Sequence, residues 1–80
     1  MQQKIEEMQK EITHIQNSMW AIYKSFLTNH DKEEYNEGML KLMKEYCDKK
    51  DEMLLSFCKY QYISWDQVIR WFAQEFRNSE

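Results

Sequence analysis

The chain has 80 residues, and its 11 Lys plus Arg against 14 Asp plus Glu leave a formal charge of −3. One Gly, no Pro and only two Cys exclude a collagen-like chain, a Pro/Gly linker and a disulfide-rich scaffold, and an aromatic share of 15% argues against disorder. At 10.0 kDa, surface scaling allows one small domain, residues 1–80, that buries roughly 64% of its unfolded surface, enough to fold with little to spare.

The first predicted helix covers about residues 3–27. Ile5, Met8, Ile12, Ile15, Met19, Ile22 and Phe26 step by 3, 4, 3, 4, 3, 4, the seam of helices that pack lengthwise. Gln, Glu and Lys, all good helix formers, fill the positions between. Trp20, Tyr23 and Leu27 widen the stripe late in the helix, so residues 1–12 read as a narrow, coiled-coil-like extension. Thr28-Asn29-His30-Asp31 is the first break, with Asp31 and Glu34 at capping-box spacing.

The second predicted helix covers about 32–48. Tyr35, Met39, Leu42 and Tyr46 form one apolar row, and Leu40, Met43 and Cys47 form its neighbour. Gly38 lies inside, at a cost of about 1 kcal/mol relative to Ala. Asp48-Lys49-Lys50-Asp51 is the second break, and either Asp suits a cap.

The third predicted helix covers about 52–77, where Leu55, Cys58, Tyr62, Trp65, Ile69, Phe72 and Phe76 repeat the 3, 4 stepping. One local signal disagrees. Ser64-Trp65-Asp66-Gln67 is a capping box with Ile63 and Val68 placed as a hydrophobic staple, so a kink or a new helix at Ser64 competes with an unbroken rod. The fold class is therefore all-α: an antiparallel bundle of three long helices, or of four if the third divides at Ser64.

The lengths do not match. The first and third helices are each about 37 Å long and the second only about 26 Å, at 1.5 Å per residue. Short connections make neighbours antiparallel. Ile5 and Met8 are then expected to overhang at one end and, if the third helix is straight and does not fold back at Ser64, Ile69, Trp71, Phe72 and Phe76 at the other. Full burial of such a side chain is worth about 1.5–3 kcal/mol, so a partner surface is expected. The candidate contact residues are Ile5, Met8, Ile12, Tyr60, Trp71, Phe72 and Phe76.

Chemistry has little support. Glu11-Ile12-Thr13-His14 has the Glu-x-x-His step of di-iron bundles, but such a site needs two such steps and two further Glu; a surface Glu and His is the simpler reading. His30 and Asp31 read as a solvated turn. Cys47 and Cys58 lack Cys-x-x-Cys spacing and read as two packed core thiols. One Gly cannot build a phosphate loop, and no serine sits in a nucleophile elbow. No catalytic residue, metal ligand or cofactor is expected.

Charge points the same way. Residues 1–30 are neutral, 31–50 carry −1 and 51–80 carry −2, so there is no basic stripe for nucleic acid. Only Arg70 and Arg77 would meet phosphates if residues 52–77 formed a helix-turn-helix. There is no secretory h-region, membrane span or lipidation motif, so a reducing cytosol is the expected setting. The expected function is non-enzymatic: a small inhibitor or adaptor that occludes a protein complex. In size and helical style the chain is similar to small phage and mobile-element proteins such as anti-CRISPR proteins, a likeness that covers no specific motif. A homodimer closed through residues 3–12 and a small DNA-binding regulator are the two alternatives.

Overall fold

A computed structural model describes residues 2–79, which form three helices: α1 (Gln2–Asn29), α2 (Lys32–Asp48) and α3 (Glu52–Ser79). They pack as an all-α antiparallel bundle, with boundaries within two residues of those expected.

The two turns are closed by specific groups. Asp31 is the N-cap of α2, in extended backbone, and its Oδ1 accepts the Glu34 N–H at 3.1 Å. The reciprocal half of the capping box is absent. The Asp31 N–H donates to Asn29 Oδ1 at 2.8 Å, and the Glu34 carboxylate accepts instead from Asn29 Nδ2 at 2.8 Å. At the other turn Asp51 has two tasks. Its N–H donates to the Tyr46 carbonyl, which helps end α2, and its Oδ1 accepts from Leu54 N–H, which starts α3. Asp51, not Asp48, is therefore the cap.

Both turns need a left-handed residue, and neither uses glycine. His30 has φ 57° and Lys50 φ 56°. The His30 N–H donates to the Phe26 carbonyl, the single-bond left-handed cap. Lys50 N–H to Cys47 and Asp51 N–H to Tyr46 make the two-bond Schellman cap.

α3 runs through Ser64 without a break. The capping box there is unused, and Asp66 pairs one turn on with Arg70 at 2.9 Å. The reason lies in the core. Tyr62 packs on Tyr35 of α2 (ring centroids 6.2 Å), and Trp65 on Tyr23 of α1 (4.8 Å). A break between them would rotate one of the two rings off its neighbour and strand backbone groups. Local capping preference loses to the two packed faces.

The buried core takes Ile15, Met19 and Phe26 from α1, Tyr35, Met39, Leu42 and Tyr46 from α2, and Leu54, Cys58 and Ile69 from α3. The expected second row of α2 is only partly used: Met43 packs on the core, while Leu40 and Cys47 are exposed. This corrects the expectation of two packed cysteines. At Gly38 a Cβ would meet Ile22 Cδ1 at 3.2 Å, so the missing side chain lets α1 and α2 approach closely.

The chain measures 54 × 20 × 17 Å. A 28-residue helix is about 42 Å long, so the rods are staggered along their axes and not flush.

Candidate functional site

Past the end of α2, α1 continues alone. Lys49, the residue after α2, reaches Glu11 with Nζ to Oε2 at 3.6 Å, which sets the level at which α2 stops. The seam residues Ile15 and Met19 above this level are buried. Ile12 at the margin is 36% exposed, and Ile5, beyond it, is 59% exposed. Met8 is half-buried against the core. The stripe thus goes from buried at Ile15 to bare at Ile5, with Ile12 and Met8 partly covered between them and Met8 the better covered of the two.

The polar groups at that level form a clasp between α1 and α2. His14 Nε2 lies 3.1 Å from Glu45 Oε2, and Lys49 Nζ sits 5.1 Å from the Tyr46 ring centre. The Tyr46 hydroxyl faces the Glu11 carboxylate and, with Lys49 and His14, holds that carboxyl below its ordinary range. The contact is not a well-formed hydrogen bond, since neither Glu11 Oε2 nor Tyr46 Oη has a partner within bonding geometry. Glu11 and His14 therefore each turn to α2, Glu11 to Lys49 and His14 to Glu45. Among the described residues no group of three or more His, Cys, Asp or Glu is arranged to hold a metal ion.

The second surface is the outward side of α3. Met53, Tyr60, Ile63, Val68 and Trp71 are 54, 69, 54, 40 and 60% exposed. At 3.6 residues per turn, Met53, Tyr60, Ser64 and Trp71 fall within about 20° of one line, with Ile63 and Val68 on its two flanks. Ser56, Gln67, Gln74, Glu75 and Asn78 fill the rest of this side, with Asn78 on the same line and Glu75 about 40° from it. From Met53 to Trp71 the band carries no ionisable group apart from the Tyr60 phenol. A surface helix of this length ordinarily turns charged residues to water on that side. Here Lys59, Asp66, Arg70 and Arg77 are drawn to one edge, where Arg70 is held by Asp66 and Arg77 by Gln74 at 3.2 Å. On α1, Trp20 is 51% exposed and leans on Tyr23 and Trp65.

The expected contact residues thus separate into three groups. Ile5, Met8 and Ile12 lie at the free end of α1. Tyr60 and Trp71 lie on the outer band of α3. Phe72 and Phe76 belong to neither. They are half-buried against the core, Phe72 on Tyr23 (6.0 Å) and Phe76 on Phe26 (5.9 Å) and stacked on His30 (3.7 Å, interplanar 10°). The overhang expected of these two, and of the fully buried Ile69, is not present, because α3 leans onto the upper half of α1 and α1 covers them. Met53, Ile63, Val68 and Trp20 are not among the expected contact residues. A wheel of residues 53–71 finds the first three, since that side holds apolar residues and no charge.

Two open grooves flank the Gly38–Ile22 contact on the α1–α2 face, about 280 and 420 Å³, both lined by Ile22 and Gly38. Among the described residues no helix is long and apolar enough to cross a membrane. The fold and surfaces define an all-α three-helix bundle with two separate bare apolar faces. No protein-family model, curated protein or solved structure matches the chain.

Proposed function

We propose that this chain is a non-catalytic binding module, a small inhibitor or adaptor that occludes a protein partner with the free end of α1. The observation that carries this reading is the α1 seam. It keeps its heptad spacing past the point where α2 stops, and it offers Ile5 and Ile12 to solvent. Apolar residues at that spacing suit a helix of another protein laid alongside. A protein partner is favoured over nucleic acid because the chain is net negative and Arg70 is already engaged by Asp66. Two unpaired thiols, Cys47 and Cys58, suit a reducing compartment such as the cytosol.

The test is affinity capture by the intact chain from its native lysate, run beside the Ile5→Glu/Ile12→Glu double variant. Both positions are exposed, so the variant folds. A stoichiometric partner held by the native chain and lost by the variant is the expected result. Identical capture by both chains sinks the reading.

A further inference from the structure

We propose that the cavity beside the α1–α2 turn binds a small soluble organic phosphate, a phosphate monoester carried on an apolar or aromatic group. The cavity lies at the opposite end of α1 from Ile5, so this inference stands or falls separately from the binding role of that end.

Convergence is the first argument. The cavity has a volume of about 210 Å³ and is lined by Phe26, His30, Lys32, Ala73, Phe76 and Arg77. Three of these six carry basic side chains, and they come from three places in the chain: the α1–α2 turn, the first turn of α2 and the last turn of α3. Among the described residues no Asp or Glu lines it. Four other surface grooves each carry at least one acid: Asp31 and Glu34 in the first, then Glu6, Glu52 and Glu45. Asp31 and Glu34, close in sequence to the cavity, line the α1–α2 groove instead, where Asp31 caps α2 and Glu34 accepts from Asn29. In a chain of net charge −3, a cavity that gathers basic groups and no acid runs against the average of the surface.

Charge is the second, and it sets the class of ligand. Lys32 and Arg77 bring two positive charges, and among the described residues neither is paired with an acid. A phosphate monoester carries about −1.5 to −2 at neutral pH, which matches them, whereas a carboxylate would leave one cation uncompensated. Arg77 donates from Nη2 to Gln74 Oε1 at 3.2 Å, and the rest of its guanidinium fork remains for phosphate oxygens. The His30 imidazole adds a ring nitrogen at the same cavity.

The walls are the third. Phe76 and Ala73 are half-buried, Phe26 is buried, and the His30 ring stacks on Phe76 at 3.7 Å. An apolar wall beside cations suits a ligand with an anionic head and an apolar body. His30 holds φ 57°, where glycine would be free of strain. The residue kept in that strained position is the one whose ring both lines the cavity and packs on its aromatic wall.

The experiment is an NMR titration of the isotope-labelled full chain with phenyl phosphate, in phosphate-free buffer at low ionic strength. Saturable shifts confined to the amides of residues 30–32 and 73–77 are expected, with weaker binding of inorganic phosphate and of benzoate. Lys32→Gln and Arg77→Gln, made separately at exposed positions, each weaken binding of phenyl phosphate about tenfold, the loss expected for one hydrogen bond between charged groups, while circular dichroism stays helical. Lys41→Gln, exposed on α2 outside the cavity, leaves binding unchanged. No saturation at millimolar phenyl phosphate overturns the proposal. So does an equal loss with Lys41→Gln, or inorganic phosphate or benzoate bound as tightly as phenyl phosphate. Binding to vesicles that contain phosphatidic acid, with none to phenyl phosphate, overturns the soluble ligand in favour of a membrane surface.

Discussion

Individual side chains carry costs that substitution can expose. Tyr35 is 1% exposed and its hydroxyl has no hydrogen-bond partner. Burial and the nearby Asp66 carboxylate push its pKa well above the ordinary phenol value. A buried unpaired hydroxyl costs more than the ring gains from it, so Tyr35→Phe is expected to stabilise the fold by about 1 kcal/mol. For a domain of this size that is a rise of about 4–8 °C in Tm. A fall in Tm would show that the hydroxyl has a partner in solution. Cys58 offers a pH test. It is fully buried, and burial raises its thiol from 9.0 to about 11. A raised pKa means that the unfolded chain ionises first. The Cys58 contribution is therefore complete below pH 9 and is lost as pH rises towards 11. Denaturant titrations across that window should show falling stability for the native chain and a shallower slope for Cys58→Ala. Equal slopes would assign the alkaline loss to other groups, Tyr35 and Tyr46 foremost, whose pKa values are also raised.

At the scale of the element, the helices stop where backbone geometry is forced and not where the side chains favour it. Lys50 holds φ 56°, a region that costs an L-residue about 1–2 kcal/mol. Its side chain is exposed and its N–H caps α2 through Cys47. Lys50→Gly keeps that hydrogen bond and removes the strain, against the greater chain entropy that glycine loses on folding. The net expectation is a gain of about 0.5–1 kcal/mol, read by chemical denaturation. A loss would mean that the lysine side chain holds the turn. His30 is the same kind of position, but its ring stacks on Phe76, so His30→Gly gives back in packing what it gains in backbone. The uninterrupted α3 belongs to this scale too. Its local capping signal at Ser64 is genuine in sequence, yet Tyr62 and Trp65 on either side each have an aromatic neighbour that a break would remove.

At the scale of the whole molecule, the stagger of the rods sets where stability lies. The core is threaded from Ile15 to Phe26 in α1, while Ile5 stands outside it. Amides of residues 2–8 are expected to exchange hydrogen far faster than those of residues 15–26, since opening that end exposes little apolar surface. Uniform protection along α1 would mean that the free end is covered in solution. α1 packs on α2 and α2 on α3 along the chain, contacts that favour rapid folding, whereas the α1–α3 ring contacts join residues more than 40 apart in sequence.

Much of this was legible in the residues alone. The 3, 4 stepping of Ile5 to Phe26 and of Leu55 to Phe76 fixes three helices and their inward faces, because helical period and hydrophobic burial are local properties of a segment. The unequal lengths and the bare Ile5 follow from the same arithmetic. Other features depended on which helix lies beside which. Whether Ser64 begins a helix, whether Cys47 is packed, and whether Phe72 and Phe76 are free are decided by neighbours far away in sequence. α1 covers the two phenylalanines, α2 turns Cys47 outward, and the pair of rings on Tyr35 and Tyr23 holds α3 straight. A periodic pattern says which side of a helix seeks cover; only the assembled rods say which stretch of that side receives it.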